Sequence, residues 1–195
     1  MRNTLCRFCF YKFSATVLIL SLAWVGTSCS NEPRYSSTLP VLNSLNTWLS
    51  RGPQPREGDL NILKSKGIRT VINFREESNW VQWEKGKVES LGMKYVSLPW
   101  NITKSVKPEL LDEFFKVLDD PQNRPVFFHC KYGRDRSGVM TVLALMRYEK
   151  MSEEEARELA LETIRPNLRY RPFVNQKIKF FLESRASEFS SSASA

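Results

Sequence analysis

The chain has 195 residues, of which 42% are hydrophobic, and a formal net charge of +8. Setting aside a removable start of 28 or so residues leaves roughly 165, which fits one ordinary globular domain with a sizeable core. The charge excess fits either simple solubility or an anionic partner: a phosphate ester, a nucleic acid or an acidic membrane surface.

Residues 1–28 read as a signal peptide. Arg2, Arg7 and Lys12 lie in a stretch without acidic residues, and the apolar run "FSATVLILSLAWVG" that follows is too short to span a bilayer. Gly26 and Ser28 are small residues at signal-peptidase spacing. The segment resembles a bacterial lipoprotein signal with Cys29 as the lipidated residue, although Gly26 stands where such signals usually carry leucine. Ordinary secretion, with Cys29 an incidental thiol, or an uncleaved anchor are the alternatives. By the same resemblance, Ser30 lacks the aspartate type of retention signal and favours an outer-membrane destination in a diderm host.

Of the four cysteines, Cys6 and Cys9 leave with the signal, so a lipidated Cys29 would make Cys130 the one remaining thiol. That thiol is either a reactive residue or a small buried hydrophobe at a strand end.

Residues 29–43 form a polar, proline-punctuated linker, residues 44–187 a single domain and residues 188–195 a disordered tail. Within the domain, "LNTWLSRGPQP" predicts a short strand and a turn, and "EGDLNILKSKG" a helix closed by Gly67. "IRTVINF" is a strand, "NWVQWEKGKVESLG" a helix stopping at Gly92, and "MKYVSLP" a strand. "KPELLDEFFKVLDD" is helical, with Pro108 in its first turn. The uniformly apolar "RPVFFHC" suits the middle of a sheet covered on both faces. Three helices follow: "SGVMTVLALMRYEK", "SEEEARELALETIR" with a Ser152/Glu155 capping box, and "PFVNQKIKFFLESRA". The alternation predicts an α/β fold, a mostly parallel central sheet flanked by helices. Trp48, Trp80, Trp83 and Trp100 read as core or rim packing.

The segment "PVFFHCKYGRDRSG" joins a buried strand to an apolar helix. Ligands of open α/β sheets bind at the carboxyl ends of strands, where a following helix presents free N–H groups and its positive dipole end. Gly133 and Gly138 let the backbone curl into an anion-binding nest, and Arg136 offers a planar fork for two phosphate oxygens. Cys130 lies at the floor of this cradle. A free thiol titrates near 8.5, and a helix N-terminus with nearby cations lowers that value. One pocket can therefore hold a thiolate beneath a phosphoryl group, in line for attack, with a phosphocysteine as product. His129 is the single histidine of the chain. Clusters suited to a metal are not found, so neither metal nor other cofactor is expected.

His129-Cys130-x-x-Gly133-x-x-Arg136-Ser137 resembles the HCxxGxxR[ST] signature of the cysteine-dependent protein tyrosine and dual-specificity phosphatases. "WLSRGPQP", "GIRTVINFRE" and "GMKYVSLPW" are similar to its compact bacterial branch, over about residues 45–165. The resemblance implies a cysteine nucleophile at Cys130 and phosphate binding by Arg136. It implies that Ser137 hydrogen-bonds the departing thiolate and that His129 orders the loop without touching substrate.

The family places its acid on the loop that here reads "WNITKSVKP", which contains no Asp or Glu, and Asn101 stands about where one is expected. Asp135 inside the cradle is the favoured substitute, by resemblance to phosphatases with a GxDR loop; Asp112 or Glu109 is the alternative. Lys131, Tyr132, Gly133, Arg134 and Gly138 are the expected substrate-binding residues. Arg75 either reaches the pocket or pairs with Glu76.

The expected activity is a protein tyrosine or dual-specificity phosphatase. The Lys131/Arg134 pair keeps a phosphoinositide or inositol polyphosphate phosphatase open, and the missing loop acid keeps a non-catalytic phosphate-binding protein open. The expected partners are a phosphorylated protein or inositol phosphate, and a membrane through a lipid anchor. The chain is expected to be an exported monomer, anchored or soluble. Nucleic acid is not expected, since the basic residues show no interleaved aromatic pattern.

Overall fold

A computed structural model describes residues 43–162 and 171–189. The signal segment, Cys29 and nearly all of the predicted linker lie outside them. The sheet has five strands: β1 (Asn43–Ser44), β2 (Leu49–Gly52), β3 (Thr70–Asn73), β4 (Lys94–Ser97) and β5 (Val126–His129). Their order is β1-β2-β5-β3-β4. Only the β1–β2 pair is antiparallel; β2–β5, β5–β3 and β3–β4 are parallel, so the expected α/β, mostly parallel sheet is what forms.

The helices are α1 (Glu57–Ser65), α2 (Asn79–Ser90), α3 (Glu109–Asp119), α4 (Asp135–Tyr148), α5 (Glu153–Glu162), α6 (Arg171–Ser184) and α7 (Ala186–Phe189), with a 3-10 turn at Pro121–Asn123. The capping box before α5 forms: Glu155 accepts from the Ser152 backbone and hydroxyl, and the Ser152 hydroxyl accepts from Glu155 N–H.

Alternation along the strands builds two cores. Val71 and Phe127 face one layer, with Leu60 and Leu63 of α1 and Val88 of α2. Ile72 and Phe128 face the other, with Leu111 and Phe114 of α3 and the apolar side of α4. β5 is central and buried at every residue, as its uniformly apolar sequence requires. Phe74, Phe114 and Phe128 pack edge to face with centroids 5.5–5.9 Å apart, the favoured geometry for aromatic quadrupoles. The tryptophans pack as read: Trp100 is buried, Trp48 lies edge-on to Tyr148 and Trp80 edge-on to Trp83.

Three boundaries differ from the sequence reading. The linker ends earlier, because Asn43 already pairs with Arg51 as an edge strand. α4 starts at Asp135 rather than Ser137, so Asp135 and Arg136 belong to its first turn. Glu188 and Phe189, assigned to the tail, close α7, where Phe189 is buried against the main core. A short polar tail pattern hides one anchoring aromatic residue.

Three parallel strand pairs keep one register. Gly52 and Asn73 each lie beside His129, and Ser97 lies beside Asn73. The four strands therefore end level, and the segments that follow them converge at one edge of the sheet. Phe114→Ala, which opens the core against Phe74 and Phe128, is expected to lose about 3–5 kcal/mol of stability. A urea titration should show a lower midpoint at unchanged slope.

Candidate active site

At that edge the chain leaves β5 at His129 and enters α4 at Asp135, and the loop between them forms the cradle. Gly133 has φ +67°, and a Cβ there would stand 2.6 Å from the Gly52 carbonyl carbon and the Pro53 nitrogen. The loop thus lies directly on the exit of β2, a contact only glycine permits. Gln54 N–H donates to the Lys131 carbonyl at 3.3 Å across the same junction.

Cys130 is 3% exposed and lies at the floor of a cavity of about 250 Å³ lined by Glu76, Asn101, Lys131, Tyr132, Asp135 and Arg136, among others. Its Sγ is 3.2 Å from the Ser137 hydroxyl. Arg136 Nη1 donates to the Phe74 and Trp100 carbonyls at 2.8 and 3.1 Å, which fixes the plane of the guanidinium against the ends of two neighbouring segments. His129 is fully buried and does not line the cavity: Nδ1 faces the Cys130 carbonyl at 3.3 Å and Nε2 lies 2.9 Å from Glu84 Oε1. Glu84 is itself buried, and its other oxygen accepts from Asn73 Nδ2 at 2.6 Å. The His129 ring thus lies against a carboxyl group from the opposite helical layer.

The expected substrate-binding residues separate. Lys131 and Tyr132 line the cavity, with Lys131 Nζ 5.1 Å from the Tyr132 ring centroid. Gly133 is not among the lining residues; its backbone lies against Gly52 and Pro53. Arg134 caps α4 and is not among the lining residues. Gly138 is buried inside α4 without a positive φ, and its N–H donates to the Arg134 carbonyl at 2.5 Å, so it is a helix residue and not part of the nest. Arg75 donates from Nη1 to Gln54 Oε1 at 2.8 Å and is not a lining residue either.

The carboxylates are informative. Asp112 is locked to Arg185 and, like Glu109, is absent from the cavity wall. Asp135 is on that wall, and burial holds its carboxyl above the usual range against the opposing pull of a backbone hydrogen bond, Arg134 and Arg136. Glu76, seen in the sequence only as a partner for Arg75, also lines the cavity. Its Oε2 accepts from Asn101 Nδ2 at 2.7 Å, and chiefly that bond pulls it below the usual range. The sheet order would have located Glu76, since it follows β3, the strand beside β5. One cavity thus holds two carboxyl groups displaced in opposite directions, Asp135 towards its acid form and Glu76 towards its anion, the pattern that divides proton donors from fixed charges.

Known proteins resemble this chain on three counts. A family model described as a DSP-PTPase phosphatase fused to NAD+ kinase matches residues 25–176. The probable chloroplastic NAD kinase 2 of Oryza sativa subsp. japonica is 29% identical over 115 residues, which is 55% of this chain and 12% of that protein. Phosphatidylglycerophosphatase and protein-tyrosine phosphatase 1 of Mus musculus is 28% identical over 132 residues, 62% of this chain and 64% of that one. The chain spans less than two thirds of either relative. Among solved structures, TpbA of P. aeruginosa superposes with a TM-score of 0.59 at 16% identity, covering 69% of this chain and 81% of that one. A mutant form of Tk-PTP superposes at 0.62 with 20% identity, covering 75% and 97%. These two share the fold.

A carboxyl group raised by burial stabilises the folded chain below its unfolded titration range, near 3.8, and loses that contribution as pH rises through the folded value. Asp135→Asn should therefore melt above the parent at pH 7 and together with it near pH 3; equal separation at both pH values would contradict the burial effect.

Proposed function

The chain belongs to the DSP-PTPase phosphatase family described by the model that matches it, and from that premise we propose that it hydrolyses phosphate monoesters through a phosphocysteine at Cys130, without a metal, acting foremost on phosphotyrosine and other phosphorylated protein side chains. The observation that carries the reading is the juxtaposition at the cavity: a sulfur at the floor, a fixed guanidinium and a burial-raised carboxyl on the wall, and a hydroxyl behind the sulfur.

In the first step the Cys130 thiolate attacks phosphorus and an S–P bond forms. The P–O bond to the leaving group breaks, and its electron pair departs with the oxygen, which takes a proton from Asp135. Arg136 and the N–H groups of the loop receive the charge on the phosphoryl oxygens. In the second step water attacks phosphorus and passes a proton to Asp135. The S–P bond breaks, and the Ser137 hydroxyl donates to the departing sulfur.

Support for Asp135 over Asp112 comes from its place on the cavity wall and from the ion pair that engages Asp112 elsewhere. A second substrate class, a phosphorylated lipid or inositol phosphate, has one observation in its favour: the Lys131 cation at the cavity rim. The name of the mouse relative, which includes a lipid phosphatase activity, points the same way. Against it, Arg134 is not on the wall and the anionic Glu76 is, which weakens attraction for a second phosphate. On residues 1–29 alone we propose export and anchoring through lipid at Cys29.

Three experiments follow. Turnover of p-nitrophenyl phosphate should persist with chelator, stop with orthovanadate and vanish in Cys130→Ser; a Cys130→Ser protein of normal activity would reject the reading, and an inert parent would leave a phosphate-binding protein. On alkyl phosphates Asp135→Asn should lose about a hundredfold or more in kcat while Asp112→Asn changes less than about twofold; the reverse ordering reassigns the acid. For the anchor, radiolabelled palmitate should enter the parent expressed in a bacterial host and be absent from Cys29→Ser.

A further inference from the structure

Arg51 on β2 is the largest side chain buried below 2% exposure, and it lies in the strand beside the nucleophile's own, paired in register with Phe128. Burial lowers its guanidinium to about 10, with the field of Cys130 acting in the opposite direction. A buried cation costs several kcal/mol to desolvate unless its hydrogens are well used. Nη2 donates to the Ala160 carbonyl of α5 at 2.7 Å, and Nη1 donates to Thr141 Oγ1 at 3.1 Å.

Thr141 carries the connection onward. Its hydroxyl oxygen accepts from Arg51, and its hydrogen goes to the Ser137 carbonyl at 2.7 Å, one helical turn earlier. Ser137 Oγ lies 3.2 Å from Cys130 Sγ. Thr141 and Ser137 are fully buried, so water does not compete. Each link in this chain is oriented the same way, from cation to hydroxyl to carbonyl, and such chains polarise one another in a low-dielectric interior. A mid-helix threonine bonded to the carbonyl four residues back also fixes that turn of backbone, which here is the turn holding the serine.

We propose that the buried Arg51–Thr141 pair positions the Ser137 hydroxyl for the second chemical step, in which the S–P bond breaks and the Cys130 sulfur leaves with its electron pair. Arg51 and Thr141 are positioning residues: neither reaches the cavity, and both act through Ser137. The inference rests on the phosphocysteine reading above. It separates the two half-reactions, because Ser137 matters little when the sulfur attacks and most when it departs.

The test is rapid-quench labelling with a radiolabelled aryl phosphate, on the full chain, in parent, Ser137→Ala, Thr141→Val and Thr141→Ser. Thr141→Val keeps the side-chain shape and removes the link. It is expected to lower kcat about tenfold, leave kcat/KM within about twofold of the parent and accumulate acid-stable labelled enzyme as Ser137→Ala does. Thr141→Ser restores the parent kcat. Arg51→Lys, if it folds, adds no further loss in the Thr141→Val background, as expected for two members of one chain. The proposal is overturned if Ser137→Ala accumulates label and Thr141→Val does not, or if kcat and kcat/KM fall together with a lowered melting temperature that serine does not rescue. If no protein in the series, Ser137→Ala included, ever carries label, the covalent mechanism itself fails and this inference falls with it.

Discussion

The contact between Gly133 and the exit of β2 is the constraint on which the site rests. The loop after β5 must turn sharply to deliver Cys130 and Arg136 to one cavity, and it does so while lying on the Gly52–Pro53 backbone at a separation that excludes any Cβ. Close packing of two backbones leaves few alternative loop conformations, so the N–H groups are oriented before any ligand arrives. Fixed donors of that kind stabilise developing charge without the reorganisation that water would need. The level strand ends make the contact possible: Gly52 lies beside His129 because β2 and β5 are in parallel register.

The sequence made the cradle legible because its requirements are local. A buried strand, a glycine, an arginine six positions after the cysteine and an apolar helix are contiguous, and their chemistry can be read from spacing. The supporting charges are not local, and they sit where the patterns predict apolar residues. Glu84 occupies a core position of α2 between Val81 and Val88, at helical spacing from both. Arg51 stands in a strand buried at every residue. Hydrophobic periodicity absorbs such residues into a face, and only the tertiary structure shows the imidazole or the hydroxyl that lies beside each. Glu76 was hidden differently: it lies on the loop after β3, and nothing in its own neighbourhood says that β3 is next to β5. Gly138 shows the converse error, a helix residue credited with loop geometry because glycine suggested it.

The two carboxyl groups of the cavity are displaced in opposite directions by different causes. Arg134 and Arg136 both pull Asp135 towards ionisation, and burial in the first turn of α4 outweighs them. Glu76 receives a hydrogen bond from Asn101, on the loop where an acid is otherwise expected. The amide is therefore a donor that holds a neighbouring anion in place.

Glu84 and Arg51 have a further consequence. They belong to different parts of the fold: Glu84 comes from the helix layer on one side of the sheet, whereas Arg51 points to α4 and α5 on the other. Their contacts meet at His129 and at the Thr141–Ser137 turn, on either flank of one cysteine. Grafting the signature loop onto a different scaffold would carry over the cavity-lining side chains and leave these two buried polar residues behind. The residues that line the cavity lie mostly on or near the loop, whereas the side chains that brace its two flanks come from β2 and α2, far away in sequence.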